Sequence, residues 1–261
     1  MKSPELFDLS GKVAIVTGGA RGLGRHSALA LAEAGADVCV CDILEEKGAA
    51  ICEDIEKTGK RSLFGRVDVT QTAEIEPFVD RVVETFGKID ILVNNAGMES
   101  EGVAIEDVED DLWRKMIDTN LSSMFYFSKA VGKRMIARGE GGNIINMASI
   151  SGIIISKILP RHNVTYCVAK AGVAHLTRGL ASEWAHHDIR VNALAPGYMV
   201  TPNTRTSRKF PEIVERLTER TPMHRYGQED ELKGTILYLA SPASSYVTGS
   251  VLVIDGGHTV W

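Results

Sequence analysis

Tyr166 and Lys170 stand four residues apart in a stretch of helical character, which puts both side chains on one face, one turn apart. A free phenol ionises at a pKa of about 10, too high for a base near neutrality. A neighbouring ammonium favours the phenolate, so the pair is a candidate proton-transfer unit. Taken alone, Tyr-x-x-x-Lys also describes an ordinary pair on a helix surface. Two further residues add weight. Ser149 follows the apolar run that begins at Asn143, so it falls at the end of a strand, where its hydroxyl can hold a substrate oxygen beside the tyrosine. Asn120 lies within a long helical stretch. It reads either as a packing polar group at a kink or as the holder of a water that links Lys170 to solvent.

These residues need a scaffold, and the pattern supplies one. Short apolar runs alternate with amphipathic stretches. Strands are expected at Val13–Thr17, Asp37–Asp42, Ser62–Val69, Ile91–Asn94, Asn143–Met147, Arg190–Leu194 and Val251–Ile254. Helices are expected at Leu23–Ala34, Glu45–Thr58, Thr72–Phe86, Glu109–Arg138, Asn163–Ala185 and Glu229–Ala240, with a short one after Phe210. Such alternation implies an α/β fold, a Rossmann-type doubly wound parallel sheet with helices on both faces. No linker or shift in composition divides the 261 residues, so one domain spanning 1–261 is expected.

The first strand runs into Thr17-Gly18-Gly19-Ala20-Arg21-Gly22-Leu23-Gly24 and then a helix. Glycines let the chain turn tightly and approach a pyrophosphate, and the helix N-terminus offers free N–H groups to that anion. The second strand ends in Asp42, followed by Ile43, where an acid can accept bonds from adenosine ribose hydroxyls. A 2′-phosphate would meet Asp42, with Glu45 and Glu46 close by in sequence, which favours NAD over NADP. Arg21 is the opposing signal. Asp68 and Val69 close the third strand within reach of an adenine ring. Asn94-Asn95-Ala96-Gly97 closes the fourth, where small residues leave room for a flat cofactor.

The formal net charge is −5 with no basic stripe, which argues against nucleic acid. No apolar run reaches the ~18 residues of a membrane helix, and the first residues lack a signal-peptide core. Cys39 and Cys41 alternate along a strand and read as buried reduced thiols, pointing to a cytoplasmic protein. The seven histidines include no His-x-x-x-His pair backed by a further ligand, so no metal site is expected.

In order and spacing, the glycine run, Asn94-Asn-Ala-Gly97, Asn120, Ser149, Tyr166-Cys-Val-Ala-Lys170, Pro196-Gly197 and Asp255-Gly-Gly257 resemble the short-chain dehydrogenase/reductase family over nearly the whole chain. The resemblance implies an Asn120–Ser149–Tyr166–Lys170 tetrad in an alcohol dehydrogenase that interconverts a secondary alcohol and a ketone. Tyr166 would be its acid/base, Lys170 would hold the nicotinamide ribose, Asn120 the relay water, and Thr201 the carboxamide. It further implies that Pro196 and Gly197 border the cofactor and that the protein is a homodimer or homotetramer. Two departures stand out. Ala169 replaces the serine common before the active-site lysine, and the segment Ile153–Thr165 is longer than in similar enzymes. That segment should wall the substrate site, and Ser151 is a rival to Ser149. Arg205, Arg208 and Lys209, in the variable stretch after Gly197, read as substrate-receiving groups or as solvated loop charges. Trp261 reads as ordinary packing, an interface residue or a closure of the site. The ending is similar to that of sugar and polyol dehydrogenases, so a polyol, sugar or hydroxy acid is expected, with a 3-oxoacyl thioester or a steroid as alternatives. A non-catalytic dinucleotide-binding regulator is the rival class; it would have no need of all four tetrad residues.

Overall fold

The computed structural model describes residues 2–99, 102–156, 163–202, 204 and 207–261. Its centre is a seven-stranded parallel sheet in the order β3-β2-β1-β4-β5-β6-β7. The strands are β1 (Val13–Thr17), β2 (Asp37–Asp42), β3 (Ser62–Arg66), β4 (Ile91–Asn94), β5 (Gly142–Met147), β6 (Ile189–Pro196) and β7 (Val251–Ile254). The helices are α1 (Gly22–Glu33), α2 (Glu45–Glu56), α3 (Thr72–Phe86), α4 (Asp110–Ile117), α5 (Ser123–Arg138), α6 (Val164–Trp184), α7 (Pro211–Glu219) and α8 (Lys233–Ala240).

The alternation of side chains along each strand divides the core in two. Ile15, Cys39, Cys41 and Leu92 face Phe78 and Val82 of α3, Phe127 and Val131 of α5, and Leu180 of α6. Ala14, Val16, Val38 and Val40 face Leu31 of α1, Ile51 and Ile55 of α2, and Ile236 and Leu239 of α8. A sheet covered on both faces needs strands apolar throughout, and all five residues of β1 are buried. Cys39 and Cys41 share a face as expected, and burial pushes both thiols well above their ordinary pKa. The strand order reverses between β1 and β4, the crevice where open α/β sheets take their ligands.

Three segments differ from the sequence expectation by more than a shift of one or two residues at an end. β3 is an edge strand paired only with β2, and its register ends at Asp42↔Arg66. Asp68 and Val69 therefore lie beyond the strand; the Asp68 carboxylate instead accepts the Thr70 N–H and hydroxyl in a tight turn. The long stretch 109–138 is α4, a π-helical turn at Asp118–Ser122, and α5. The Asn120 side chain donates to the Met116 carbonyl within that turn, the kind of side-chain insertion that distorts the helix ladder. The segment expected as one helix from Glu229 starts as a 3₁₀ turn, Glu229–Leu232, before α8.

Candidate active site

The loops after β1 and β4 are laced together by hydrogen bonds between side chains and backbone. The Thr17 hydroxyl accepts the N–H groups of Asn95 and Ala96, both at 3.0 Å. The Asn95 amide returns bonds to the carbonyls of Thr17 and Gly18, again at 3.0 Å. Gly18 takes a left-handed φ of 61°, and a Cβ there would stand 2.8 Å from Ala96 Cα. A Cβ on Gly24 would come within 2.3 Å of both Asn95 Nδ2 and the Gly18 oxygen. Bare backbone is thus a packing requirement of this corner. Helix α1 opens directly onto it, and Arg21, its N-cap, supplies no side-chain cap, so first-turn N–H groups face outward. Together these features form an anion cradle that fits a pyrophosphate.

Asp42 ends β2 almost fully buried. One of its oxygens accepts the Ala20 N–H at 3.1 Å and the other the Leu44 N–H at 3.1 Å. The carboxylate is therefore pinned beside the glycine-rich turn. Arg21 is exposed at the same end. The neighbouring Arg25 is held by Asp54.

At the other end, α6 carries Tyr166 and Lys170. The helix starts where Asn163 accepts the Tyr166 N–H at 3.2 Å. Lys170 is buried, with Nζ 2.8 Å from the Met147 carbonyl at the end of β5 and 5.5 Å from the centroid of the Tyr166 ring. Burial lowers the Lys170 pKa to about 8, partly offset by the negative charge of Glu99. Ser149 is held at the head of a short 3₁₀ turn by the Ser151 N–H, 3.1 Å from its Oγ, and it hydrogen-bonds the Tyr166 phenol. Ser149 faces the cleft; Ser151 serves it only through its backbone. In the unliganded chain the phenol pKa is raised, first by burial and then by Glu99, against the Ser149 hydrogen bond that favours phenolate. The phenol pKa is thus raised in the unliganded chain, where the sequence led to the expectation of a lowering by Lys170.

Asn120 is fully buried. Its amide donates to the carbonyls of Met98 and Met116, and its oxygen accepts the Met98 N–H. It sits in the helix distortion, as the packing reading expects, and it also lines the cleft. A Cβ on Gly97 would lie 2.9 Å from Asn120 Oδ1 and 3.7 Å from Lys170 Nζ, so the two polar groups border the same small space.

All of this surrounds one cleft of about 810 Å³. Each residue expected to bind cofactor or act in catalysis lines it, including Leu23, Ile43, Asp68, Val69, Pro196, Gly197 and Thr201, with Gly24 supporting it from behind. Arg208 and Lys209 do not line it; Arg208 donates to the Thr201 carbonyl at 3.2 Å and so braces the loop. Arg205 and residues 157–162 of the long Ser149–Tyr166 segment lie outside the described residues. Of the described part of that segment, only its ends, Ser149 and Tyr166, line the cleft; Ser156 hydrogen-bonds Tyr198, which does not line it. Trp261 donates to the Arg220 carbonyl at 2.9 Å, a contact within its own chain. Sequence reasoning missed Glu99, which lines the cleft and acts electrostatically on Tyr166, Lys170 and Tyr198. Its signal was its place, two residues beyond the motif that closes β4. Among the described residues no cluster of His, Cys, Asp and Glu is arranged to hold a metal, and no helix is long and apolar enough to cross a membrane.

Residues 18–259 match a family model described as enoyl-(acyl carrier protein) reductase. The 2-dehydro-3-deoxy-D-gluconate 5-dehydrogenase of Escherichia coli K12 is 42% identical over 96% of each chain. The chain is a short-chain dehydrogenase/reductase and, like its relatives, an enzyme that acts on CH–OH groups with a nicotinamide dinucleotide. The galactitol 2-dehydrogenase (L-tagatose-forming) of Cereibacter sphaeroides is 40% identical over 98% of each chain. Among solved structures, a gluconate 5-dehydrogenase from Burkholderia cenocepacia J2315, in complex with NADP and tartrate, superposes with a TM-score of 0.93 at 36% identity over 100% of each chain.

Proposed function

We propose that this short-chain dehydrogenase/reductase uses NAD to interconvert a secondary alcohol and a ketone on a polyol, sugar or hydroxy acid, with Tyr166 as its acid/base. The observation that carries the reading is the convergence of Ser149, Tyr166 and Lys170 on one cleft that also holds the glycine cradle. The dinucleotide, when bound, supplies the hydride acceptor or donor. The chain does the rest. Tyr166 takes the alcohol proton at its phenol oxygen in oxidation and returns it in reduction. Ser149, already bonded to that phenol, anchors the substrate oxygen beside it. Lys170 holds the nicotinamide ribose and brings positive charge to the tyrosine, while Asn120, whose Oδ1 borders the same small space as the Lys170 ammonium, receives the water that carries the proton outward. Thr201 meets the carboxamide.

Asp42 supports NAD. Its carboxylate is fixed by two backbone N–H groups at the adenosine end, where a 2′-phosphate would meet a like charge that cannot swing away. Exposed aromatic residues on α4 and α5, namely Trp113, Phe125 and Tyr126, support a homodimer or homotetramer. The buried thiols fit a cytoplasmic setting. The reading is tested by a panel of alcohols, polyols and hydroxy acids with NAD and with NADP, following absorbance of the reduced cofactor. Turnover with NAD on at least one polyol, sugar or hydroxy acid is expected. A panel oxidised only with NADP would reject the cofactor assignment, and a silent panel would reject the reaction.

A further inference from the structure

The tetrad moves the proton but leaves the choice of substrate to what stands beside it. Glu99 stands there and has no part in the proton path. Its place is set by the backbone before it. Asn120 accepts the Met98 N–H at 3.1 Å and donates to the Met98 carbonyl at 3.0 Å, so the residue preceding Glu99 is clamped from both sides by a buried side chain. One residue earlier, Gly97 runs so near Asn120 and Lys170 that a Cβ would crowd the Asn120 oxygen. The segment therefore delivers a carboxyl to the cleft wall, open to solvent yet hemmed by protein. That crowding raises the carboxyl's own pKa, and the Lys170 charge opposes the rise.

We propose that Glu99 makes this a cleft for uncharged polyols, receiving their hydroxyl groups and turning away the same carbon chain when it ends in a carboxylate. The inference rests on the alcohol-oxidoreductase reading above. A carboxylate is an acceptor only, with room for several O–H donors, so a run of hydroxyls suits it. A substrate carboxylate meets like charge, a repulsive element of the kind that sets specificity. Among the described residues, the cations lining the cleft are Arg21, Lys115 and Lys170. Arg21 belongs to the dinucleotide end. Lys170 is committed to the Met147 carbonyl. Lys115 shares its helical face with Asp111 and Asp118, which also line the cleft and offset it. Lys170 is the one of the three whose charge reaches Glu99, and a substrate carboxylate beside Glu99 would have to share that single charge with it.

The test compares wild type, Glu99→Gln and Glu99→Asp at alkaline pH, where the Glu99 carboxyl is ionised. Two measurements are made. Turnover is followed with glucitol and gluconate, which share a carbon skeleton. Binding of threitol and tartrate, a neutral and an anionic four-carbon pair, is titrated on enzyme loaded with reduced cofactor. In Glu99→Gln the glucitol-to-gluconate ratio of kcat/KM is expected to fall about tenfold, carried by the KM for gluconate, and tartrate is expected to bind about tenfold more tightly relative to threitol. Glu99→Asp should keep the wild-type ratios. Ratios indifferent to Glu99→Gln, or a wild-type preference for gluconate, overturn the proposal. The two readings fail separately. An enzyme that oxidises polyols with a ratio blind to Glu99 keeps the reaction and loses the filter. A chain that rejects tartrate through Glu99 but oxidises no alcohol keeps the filter and loses the reaction.

Discussion

At the dinucleotide end of the cleft, the parts are mostly backbone: Gly18 in a left-handed turn and amides at the start of α1, with one side chain, the Thr17 hydroxyl, tying the β4 loop to β1. At the substrate end, the parts are side chains borrowed from distant elements: Ser149 after β5, Tyr166 on α6 and Glu99 after β4. The first end tolerates almost no added atom at Gly18 and Gly24, and the pyrophosphate it is proposed to hold is common to every dinucleotide. The second can change what it binds by replacing one side chain, provided the proton-transfer group stays. A shared fold can therefore support relatives named for an acid and for a polyol.

Substitutions that strike one end and spare the other test this contrast. The largest effect is expected from Gly24→Val, whose Cβ would stand 2.3 Å from Asn95 Nδ2 and the Gly18 oxygen. Overpacking of this kind costs about 1–3 kcal/mol, and here the groups displaced are those of the cradle. Calorimetric titration should show dinucleotide affinity falling about a hundredfold; affinity close to wild type would mean the corner is not rigid.

Lys170→Met comes next because the proposed function has Lys170 serve both ends. Turnover should drop about a hundredfold, with weaker cofactor binding as well. This variant also carries a pH signature. Burial sets the Lys170 pKa at about 8, below its ordinary value of 10.5. The penalty for holding a buried ammonium is thus fully present below about pH 8 and is relieved as pH rises toward 10.5. In thermal melts without cofactor, wild type should gain on Lys170→Met across that window. A constant difference would contradict the burial of a charged lysine.

Asp42→Ala should have a smaller and more selective effect, raising the NADP-to-NAD ratio of kcat/KM about tenfold while leaving the polyol preference alone. A ratio unchanged by the substitution would remove Asp42 from the adenosine end.

The contrast also explains what was legible in the sequence. Backbone motifs are written locally: Gly18, Gly22 and Gly24 sit within a few residues of one another, and Asp42 ends the strand that follows. Tyr166 and Lys170 were legible because a helix brings residues four apart onto one face. Strand and helix positions followed from apolar alternation, and α3, β4 and β7 match their expected limits. What was hidden depends on tertiary placement. The end of β3 is set by its single partner, β2, which no pattern within residues 62–69 reveals. The π turn at Asp118–Ser122 follows from the Asn120 amide reaching Met116 as well as Met98. Glu99 looked like one charge among many until the fold brought its charge to bear on Tyr166, and Arg208, open between a substrate-receiving group and a solvated loop charge, bonds the Thr201 carbonyl.

The account turns on the phenol oxygen of Tyr166. The direct measurement is Tyr166→Phe, assayed for turnover and, on the same sample, for dinucleotide affinity. Removing one oxygen from an α6 side chain leaves the cradle of β1, α1 and β4 untouched. Turnover should therefore fall about a thousandfold or more, with cofactor binding close to wild type. Turnover near the wild-type rate would contradict proton transfer by Tyr166.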